Sequence, residues 1–559
     1  MKKQWWHKKV AYQIYPKSFM DTNHDGIGDL KGIIEKIDYL SWLGIDLIWI
    51  SPIFKSPMVD NGYDISDYYA IDESFGTMEE FDELLRVTKE KKIEVILDLV
   101  INHCSSEHVW FQKAVEDPEG YFGKFFYIKE TCDGNPPNNW RSYFGGSAWE
   151  KLPGHEHKYY LHSFAKEQPD LNWENKELRE ELFKMVNWWL EKGIAGFRID
   201  AIMNIKKDLT FANLEPDGPD GMGVICHSMD KAEGIGDFLT ELKVRCFEPH
   251  DALTVGEVFL RKTDELKDFI GENGYFSTMF DFVPSHLNRS GVGFHEYLTV
   301  SFKTWRDSIF QTQKDTYDFA FEANILENHD EPRGANLYIP EGEAYFYSLS
   351  ALATISILLR GLPFLYQGQE LGMTNSIWDS VEEFNDIGTI DQFHYMMQCG
   401  LSEEEALKHC SSASRDNSRT PMQWDTSEYA GFSTVKPWIK VNPNYVDINV
   451  EKQKEEYGSL LNFYKRLIAF RKAEEYVDLF TYGKLEETYL EEETIFAYFR
   501  ELEDQKVLLI SNFSSKETKL LLNEKVEDVI FVNYEKVTFV GNQLLLKPYE
   551  TIVVKVLED

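Results

Sequence analysis

Apolar residues along the first hundred positions alternate between two rhythms. Residues 11–15 form a short apolar run of the kind that makes a buried strand, and 45–50 and 95–100 repeat it. Between these runs, residues 30–43 carry Ile33, Ile34, Ile37, Leu40 and Leu43 at helical spacing, and 77–91 read as a second helix. From Cys104 to Trp173 the rhythm fails. That stretch is rich in Gly, Pro, Asn and aromatic residues, and it is expected to be an insertion after the third strand. The rhythm then resumes: Asn175 is placed to N-cap a helix whose apolar face is Leu178, Leu182, Met185, Val186 and Trp189, and Gly193 supplies a left-handed stop. Further strands are expected at 196–202, 253–258, 276–282, 324–327 and 363–367. Eight strand candidates with helices between them predict an α/β fold, a (β/α)8 TIM barrel with its site at the C-terminal strand ends. Past a helix at 460–471 the texture changes. Strands at 494–500, 506–512, 529–532 and 551–556, separated by turns and charges, predict a small antiparallel β domain. The expected division is a barrel from 1–103 and 174–478, an insertion domain at 104–173 and a C-terminal β domain at 479–559.

Composition narrows the class. With 559 residues, 43% hydrophobic and 14% aromatic, the chain can bury a large core and form two or three domains. A net charge of −37 repels phosphate backbones, so nucleic acid is not expected as a partner and a small neutral ligand is preferred. Six cysteines without CxxC spacing indicate neither a zinc site nor a disulfide framework, and a reducing compartment fits. The N-terminal Lys2, Lys3, Lys8 and Lys9 are followed by no apolar leader core, and no run approaches the length of a membrane span. A cytoplasmic protein without membrane contact, acting as a monomer, is the expectation.

Three of the strand candidates each deliver a carboxylate at or just past the C-terminal end: Asp200, Glu257 and Asp330. Burying a charge costs several kcal/mol unless something balances it, so three at strand ends point to a polar site at one rim of a parallel sheet. Arg198, two residues before Asp200 on the same strand, points to the same face and can hold it ionised. Paired carboxylates are what glycoside hydrolysis needs, one to attack and one to protonate the leaving oxygen.

The segments Asp98-Leu99-Val100-Ile101-Asn102-His103, Gly196-Phe197-Arg198-Ile199-Asp200, Gly256-Glu257-Val258 and Asn328-His329-Asp330 resemble, in order and spacing, the four signature regions of the α-amylase family of glycoside hydrolases. Tyr12-Gln13-Ile14-Tyr15-Pro16, Asp60-Asn61-Gly62-Tyr63-Asp64, Gln168-Pro169-Asp170-Leu171-Asn172 and Arg419-Thr420-Pro421-Met422-Gln423-Trp424 are similar to its oligo-1,6-glucosidase, dextran glucosidase and α-glucosidase branch. The resemblance implies Asp200 as nucleophile, Glu257 as acid/base and Asp330 as the third carboxylate, which holds sugar hydroxyls. It implies that His103 and His329 bond the glucose, that Asp60 and Arg415 close the pocket around a terminal glucose, and that Tyr63 and Phe144 are its aromatic walls. It needs no cofactor for catalysis. It does imply a structural Ca²⁺ in the loop of Asp21, Asn23, Asp25, Ile27 and Asp29; position 12 of that loop is Gly32 rather than Glu, so it is no EF-hand.

Members of the branch that prefer α-1,6 bonds usually carry Val after the nucleophile, whereas this chain has Ala201. The expectation is therefore a retaining exo-acting α-glucosidase on short oligosaccharides or disaccharides, with α-1,4 bonds favoured. The alternatives are an oligo-1,6-glucosidase or dextran glucosidase, then a trehalose-6-phosphate hydrolase, disfavoured by the acidity, and a sucrose isomerase, a type usually exported. A catalytically inactive binding relative is disfavoured because all three carboxylates are present.

Overall fold

The computed structural model describes residues 2–229, 232–259, 265–287 and 300–557. Its centre is a ring of parallel strands: β1 Ala11–Ile14, β2 Leu47–Ile50, β3 Glu94–Val100, β4 Gly196–Asp200, β5 Leu253–Gly256, β6 Thr278–Met279, β7 Ala323–Ile325 and β8 Leu362–Tyr366. Their order in the sheet is β6-β5-β4-β3-β2-β1-β8-β7, every pairing is parallel, and a bridge from Phe280 to Ala323 closes the ring. The eight expected strands are these eight. Strand β6 is shorter than 276–282; just beyond it the Phe280 N–H still bonds the Gly256 carbonyl of β5 while Phe280 bridges Ala323 of β7.

Alternation along the strands separates two layers. Ala11, Trp49, Ile96, Val255, Ala323 and Phe364 fill the barrel interior, while Tyr12, Ile14, Ile48, Ile50, Leu97 and Ile199 pack outward against the helices. The helices end where the sequence places their stops. Helix α1 (Leu30–Leu43) is capped by Asp29 and ends at Gly44 with φ of 100°. Helix α2 (Met78–Glu90) opens with a reciprocal Thr77/Glu80 capping box. Helix α3 (Lys176–Lys192) has Asn175 accepting from the Leu178 N–H and Gly193 at φ 111°.

Residues 104–173 leave the barrel after β3 and build an antiparallel sheet from Ile128–Glu130, Trp149–Lys151 and Lys158–Leu161. The segment that follows β4 joins this layer, which no sequence pattern announced. Gly223–Val224 pairs with Trp140–Arg141, and Leu214 and Ile225 enter the core formed by Trp140, Trp149 and Tyr159. One buried cation ties the three parts together. Lys207 Nζ lies 2.7 Å from Asp170 Oδ2, 3.0 Å from Asn102 Oδ1 and 3.2 Å from Ser163 Oγ.

The C-terminal strands Lys484–Thr488, Ile495–Leu502, Gln505–Asn512, Val526–Val532 and Thr551–Val556 form an antiparallel sheet. Two buried guanidinium groups hold it and the helix Leu460–Lys472 to the barrel. Arg500 donates to the carbonyls of Leu358 at 2.7 Å and Phe480 at 2.8 Å, and Arg471 to those of Leu359 at 3.0 Å and Gly361 at 2.8 Å. No helix among the described residues is long and apolar enough to cross a membrane.

Removing one partner of a buried pair leaves the other charge uncompensated. Lys207→Met is therefore expected to lower unfolding free energy by about 3–5 kcal/mol in denaturant titration. Adding Asp170→Asn should recover part of that loss, and a Lys207→Met variant as stable as the parent would show that the ammonium does not hold the loop.

Candidate active site

Strands β3, β4 and β5 put their polar groups at one level. Arg198 is the direct register partner of Asp98 on one side and of Val255 on the other, and Asp200 lies one pleat further toward the C-terminal rim. The Arg198 guanidinium, 1% exposed, meets three carboxylates. Its Nη1 is 2.7 Å from Asp98 Oδ1 and 2.6 Å from Asp200 Oδ1, and its Nη2 is 2.6 Å from Glu257 Oε1. The Trp49 ring lies 5.3 Å from the guanidinium centre.

One cation cannot neutralise three anions. Burial pushes Asp200 and Glu257 up to about 7 and Asp98 up to about 6, with Arg198 opposing the rise in each case. All three carboxyls face the same guanidinium, so their titrations are linked.

The second oxygen of Glu257 accepts from the Ala201 N–H at 2.7 Å. Ala201 follows the last residue of β4 and adopts a left-handed conformation, φ 42° and ψ 35°. This departs from the strand geometry that the sequence pattern implied for 196–202: the chain turns at Ala201, which aims its N–H at Glu257 and brings the residue into the cavity wall.

Asp330 lies after β7. Burial would raise its carboxyl, but contact with the His329 ring and the charges of Arg415 and Arg419 outweigh that effect and hold it well below the usual carboxylate range. Arg415 Nη1 and Arg419 Nη2 are each 3.1 Å from Asp330 Oδ1. Burial lowers His329 to about 3, so the ring is neutral. The Gln13 amide nitrogen sits 2.8 Å from its Nδ1, which puts the ring proton on Nε2, facing Tyr63 Oη at 2.6 Å and Asp330 Oδ2 at 3.1 Å. The rings of Tyr63 and His329 stack, 5.4 Å apart.

These groups floor a cavity of about 920 Å³. Nine of the residues singled out in the sequence line it: Asp60, Tyr63, His103, Phe144, Asp200, Ala201, Glu257, Asp330 and Arg415. Arg198 and His329 are buried behind the wall and reach it through their partners. His103, lowered by burial to about 4, is neutral, and its Nε2 is 3.0 Å from the Tyr63 carbonyl. On the far side Arg415 Nη2 is 3.4 Å from Asp60 Oδ1, and the Phe144 ring lies 5.3 Å from the Arg415 guanidinium centre.

Several members were not singled out. Asp98 and Arg419 lie inside quoted motifs but carried no assigned role, Gln168 bonds Asp60 Oδ2 at 3.1 Å, and Phe164 packs on Phe144 at 5.7 Å. Asp386, which holds Arg415, N-caps the helix Ile387–Gln398, and nothing in the sequence pairs it with Arg415.

The acidic loop lies outside the cavity. Asp21 Oδ1 accepts from the His24 N–H at 2.7 Å, Asn23 Oδ1 from Asp25 at 3.0 Å, Asp25 Oδ1 from Ile27 at 2.8 Å, and Asp29 Oδ2 from Thr22 at 2.7 Å. Among the described residues no three His, Cys, Asp or Glu side chains converge as metal ligands, so Asn23 and the Ile27 carbonyl would have to complete a set. The donors are all oxygen, which fits a hard cation.

Family models match most of the chain: "Alpha amylase, catalytic domain" over residues 13–479 and "Alpha-amylase SusG C-terminal domain" over 495–553. The sequence is 43% identical over 521 residues to "Probable oligo-1,6-glucosidase 3" of Bacillus subtilis (strain 168), covering 92% of each chain. Among solved structures it is similar to isomaltulose synthase from Klebsiella sp. LX3, with a TM-score of 0.94, 36% identity and 100% of both chains covered. It is similar also to Bacillus licheniformis trehalose-6-phosphate hydrolase, with a TM-score of 0.90, 37% identity and 100% of both chains covered. The closed parallel barrel, its carboxylate-lined rim and these matches establish that the chain belongs to the α-amylase family of glycoside hydrolases.

Proposed function

We propose that the protein is a retaining, exo-acting α-glucosidase that releases glucose from the non-reducing end of short α-glucosides. The observation that carries this reading is the joining of Asp200 and Glu257 through Arg198 at the floor of a cavity closed on its far side by Asp60 and Arg415. Retention requires the two carboxyls about 5–5.5 Å apart, a spacing that a single guanidinium contacting both supports. Asp200 attacks the anomeric carbon as the glycosidic C–O bond breaks, and Glu257 gives its proton to the departing oxygen. Glu257, now ionised, takes a proton from water, whose oxygen attacks the same carbon and frees Asp200. Asp330, held ionised by the two arginines, accepts sugar hydroxyls and stabilises the positive charge that builds on the ring. The closed far side admits one terminal glucose.

The linkage reading, α-1,4 over α-1,6, rests on the small Ala201 side chain in the cavity wall. A second reading, oligo-1,6-glucosidase, is favoured by the names that relatives at 36–43% identity carry. We also assign a structural Ca²⁺ to the loop of Asp21, Asn23, Asp25, Ile27 and Asp29, on the strength of its donor set.

The two carboxyls should separate kinetically. Asp200→Asn is expected to abolish release of glucose from every substrate, because an amide cannot attack. Glu257→Gln should lose far more activity on maltose than on aryl glucosides with acidic phenols, whose leaving oxygen needs no proton. Equal losses on both substrates would remove Glu257 from the acid role.

Valine at position 201 must accept a left-handed backbone, so Ala201→Val is expected to cost about 1–2 kcal/mol of stability. Its added methyls should also lower kcat/KM for maltose relative to isomaltose by about 10-fold. Ala201→Gly relieves the backbone without adding bulk and should leave the ratio unchanged. Equal shifts in both variants would mean that the side chain does not select linkage.

A cation that binds only the folded chain adds about 2.7 kcal/mol of stability at one hundred times its Kd. The melting temperature should thus rise with added Ca²⁺ and fall in chelator. An identical Tm in millimolar calcium and in chelator would leave the loop without a structural calcium.

A further inference from the structure

Arg415 faces three carboxylates, and the one it holds most closely is not one of those expected to grip the sugar. Asp386 Oδ1 is 3.0 Å from Arg415 Nε and 2.5 Å from Nη2, against 3.1 Å for Asp330 and 3.4 Å for Asp60. Both Asp386 oxygens cap the helix that follows, α4 (Ile387–Gln398): Oδ2 accepts from Thr389 N at 3.0 Å and Thr389 Oγ1 at 2.6 Å, and Oδ1 from Gly388 N at 3.3 Å. The backbone N–H groups of Asn385 and Asp386 both donate to Asp416 Oδ2, at 2.7 and 2.9 Å. Asp386 is thus fixed from both sides, 2% exposed and outside the cavity lining, where no sugar reaches it.

A guanidinium is a planar fork with fixed edges. By taking the Nε/Nη2 edge, Asp386 leaves Nη1 to Asp330 and the remaining hydrogen of Nη2 to Asp60. Without an edge partner, the two cavity carboxylates would compete for the fork.

We propose that Asp386 is the positioning residue of the pocket-closing arginine: it orients Arg415 toward the non-reducing end of the substrate without touching it. The inference rests on the closed glucose pocket of the proposed function. It deepens that reading by naming the group that holds the pocket shut.

Asp386→Asn is the discriminating variant, because Asn caps a helix as well as Asp does while removing the charge that faces Arg415. KM for maltose and for p-nitrophenyl α-glucoside is expected to rise about 10-fold or more, with kcat held within about threefold. In an Arg415→Ala background the same substitution should change kcat/KM by less than about twofold, since its route of action is gone. Thr389→Val removes the hydroxyl contacts to Asp386 and Ser414 while keeping the Asp386–Arg415 pair, and should leave KM within about twofold of the parent.

Multiplying losses in the double variant, an equal KM rise in Thr389→Val, or loss of cooperative melting in Asp386→Asn would each overturn the proposal. An active parent enzyme with an unchanged KM in Asp386→Asn sinks this inference alone. A parent that releases no glucose from any α-glucoside sinks the reading beneath it.

Discussion

The guanidinium of Arg198 is the group on which the site depends. It is buried beneath the barrel rim, and no single carboxylate could both balance it and remain free to react. Asp98 supplies a partner from β3, Asp200 from its own strand and Glu257 from the end of β5, so three neighbouring strands must keep their register for the cluster to exist. Burial, with the neighbouring carboxylates adding to it, lifts Asp200 and Glu257 to about 7. The cation that makes the carboxylates tolerable in the interior opposes that rise.

Around this floor, the walls are made by segments that leave the strand ends and are fastened by further buried cations. Lys207 joins the end of β3, the insertion and the segment after β4. Arg415 and Arg419 join the segment after β8 to Asp330, which follows β7. The division of labour follows from the fold. A closed parallel sheet fixes reacting groups at its rim with little freedom, while the connecting segments differ in length and can shape the cavity. Ala201 stands where the two tiers meet. The residue that follows β4 also turns its backbone N–H onto Glu257, so this carboxyl is oriented by the main chain as well as by Arg198.

Much of this was legible in the sequence, because the physics that produced it is local. Helical spacing in 30–43, the Asn175 cap and the Gly193 stop are decided within a few residues, and short apolar runs ending in Asp200 and leading to Glu257 and Asp330 can satisfy burial only at a polar rim. The order of the eight strands followed from their alternation with helices. What the sequence could not carry were contacts between positions far apart along the chain and without a repeating pattern. Asp386, at the N-terminus of α4, is 29 residues from Arg415, Lys207 is 105 residues from Asn102, and Gly223–Val224 pairs with Trp140–Arg141 across two connecting segments. The left-handed turn at Ala201 was hidden for a related reason: alanine has no intrinsic preference for positive φ, and only the tertiary placement of Glu257 rewards it. Local rhythm thus determined the barrel and the three carboxylates. Three-dimensional packing decided which cations hold them, how the far side of the cavity closes, and where the backbone bends to meet Glu257.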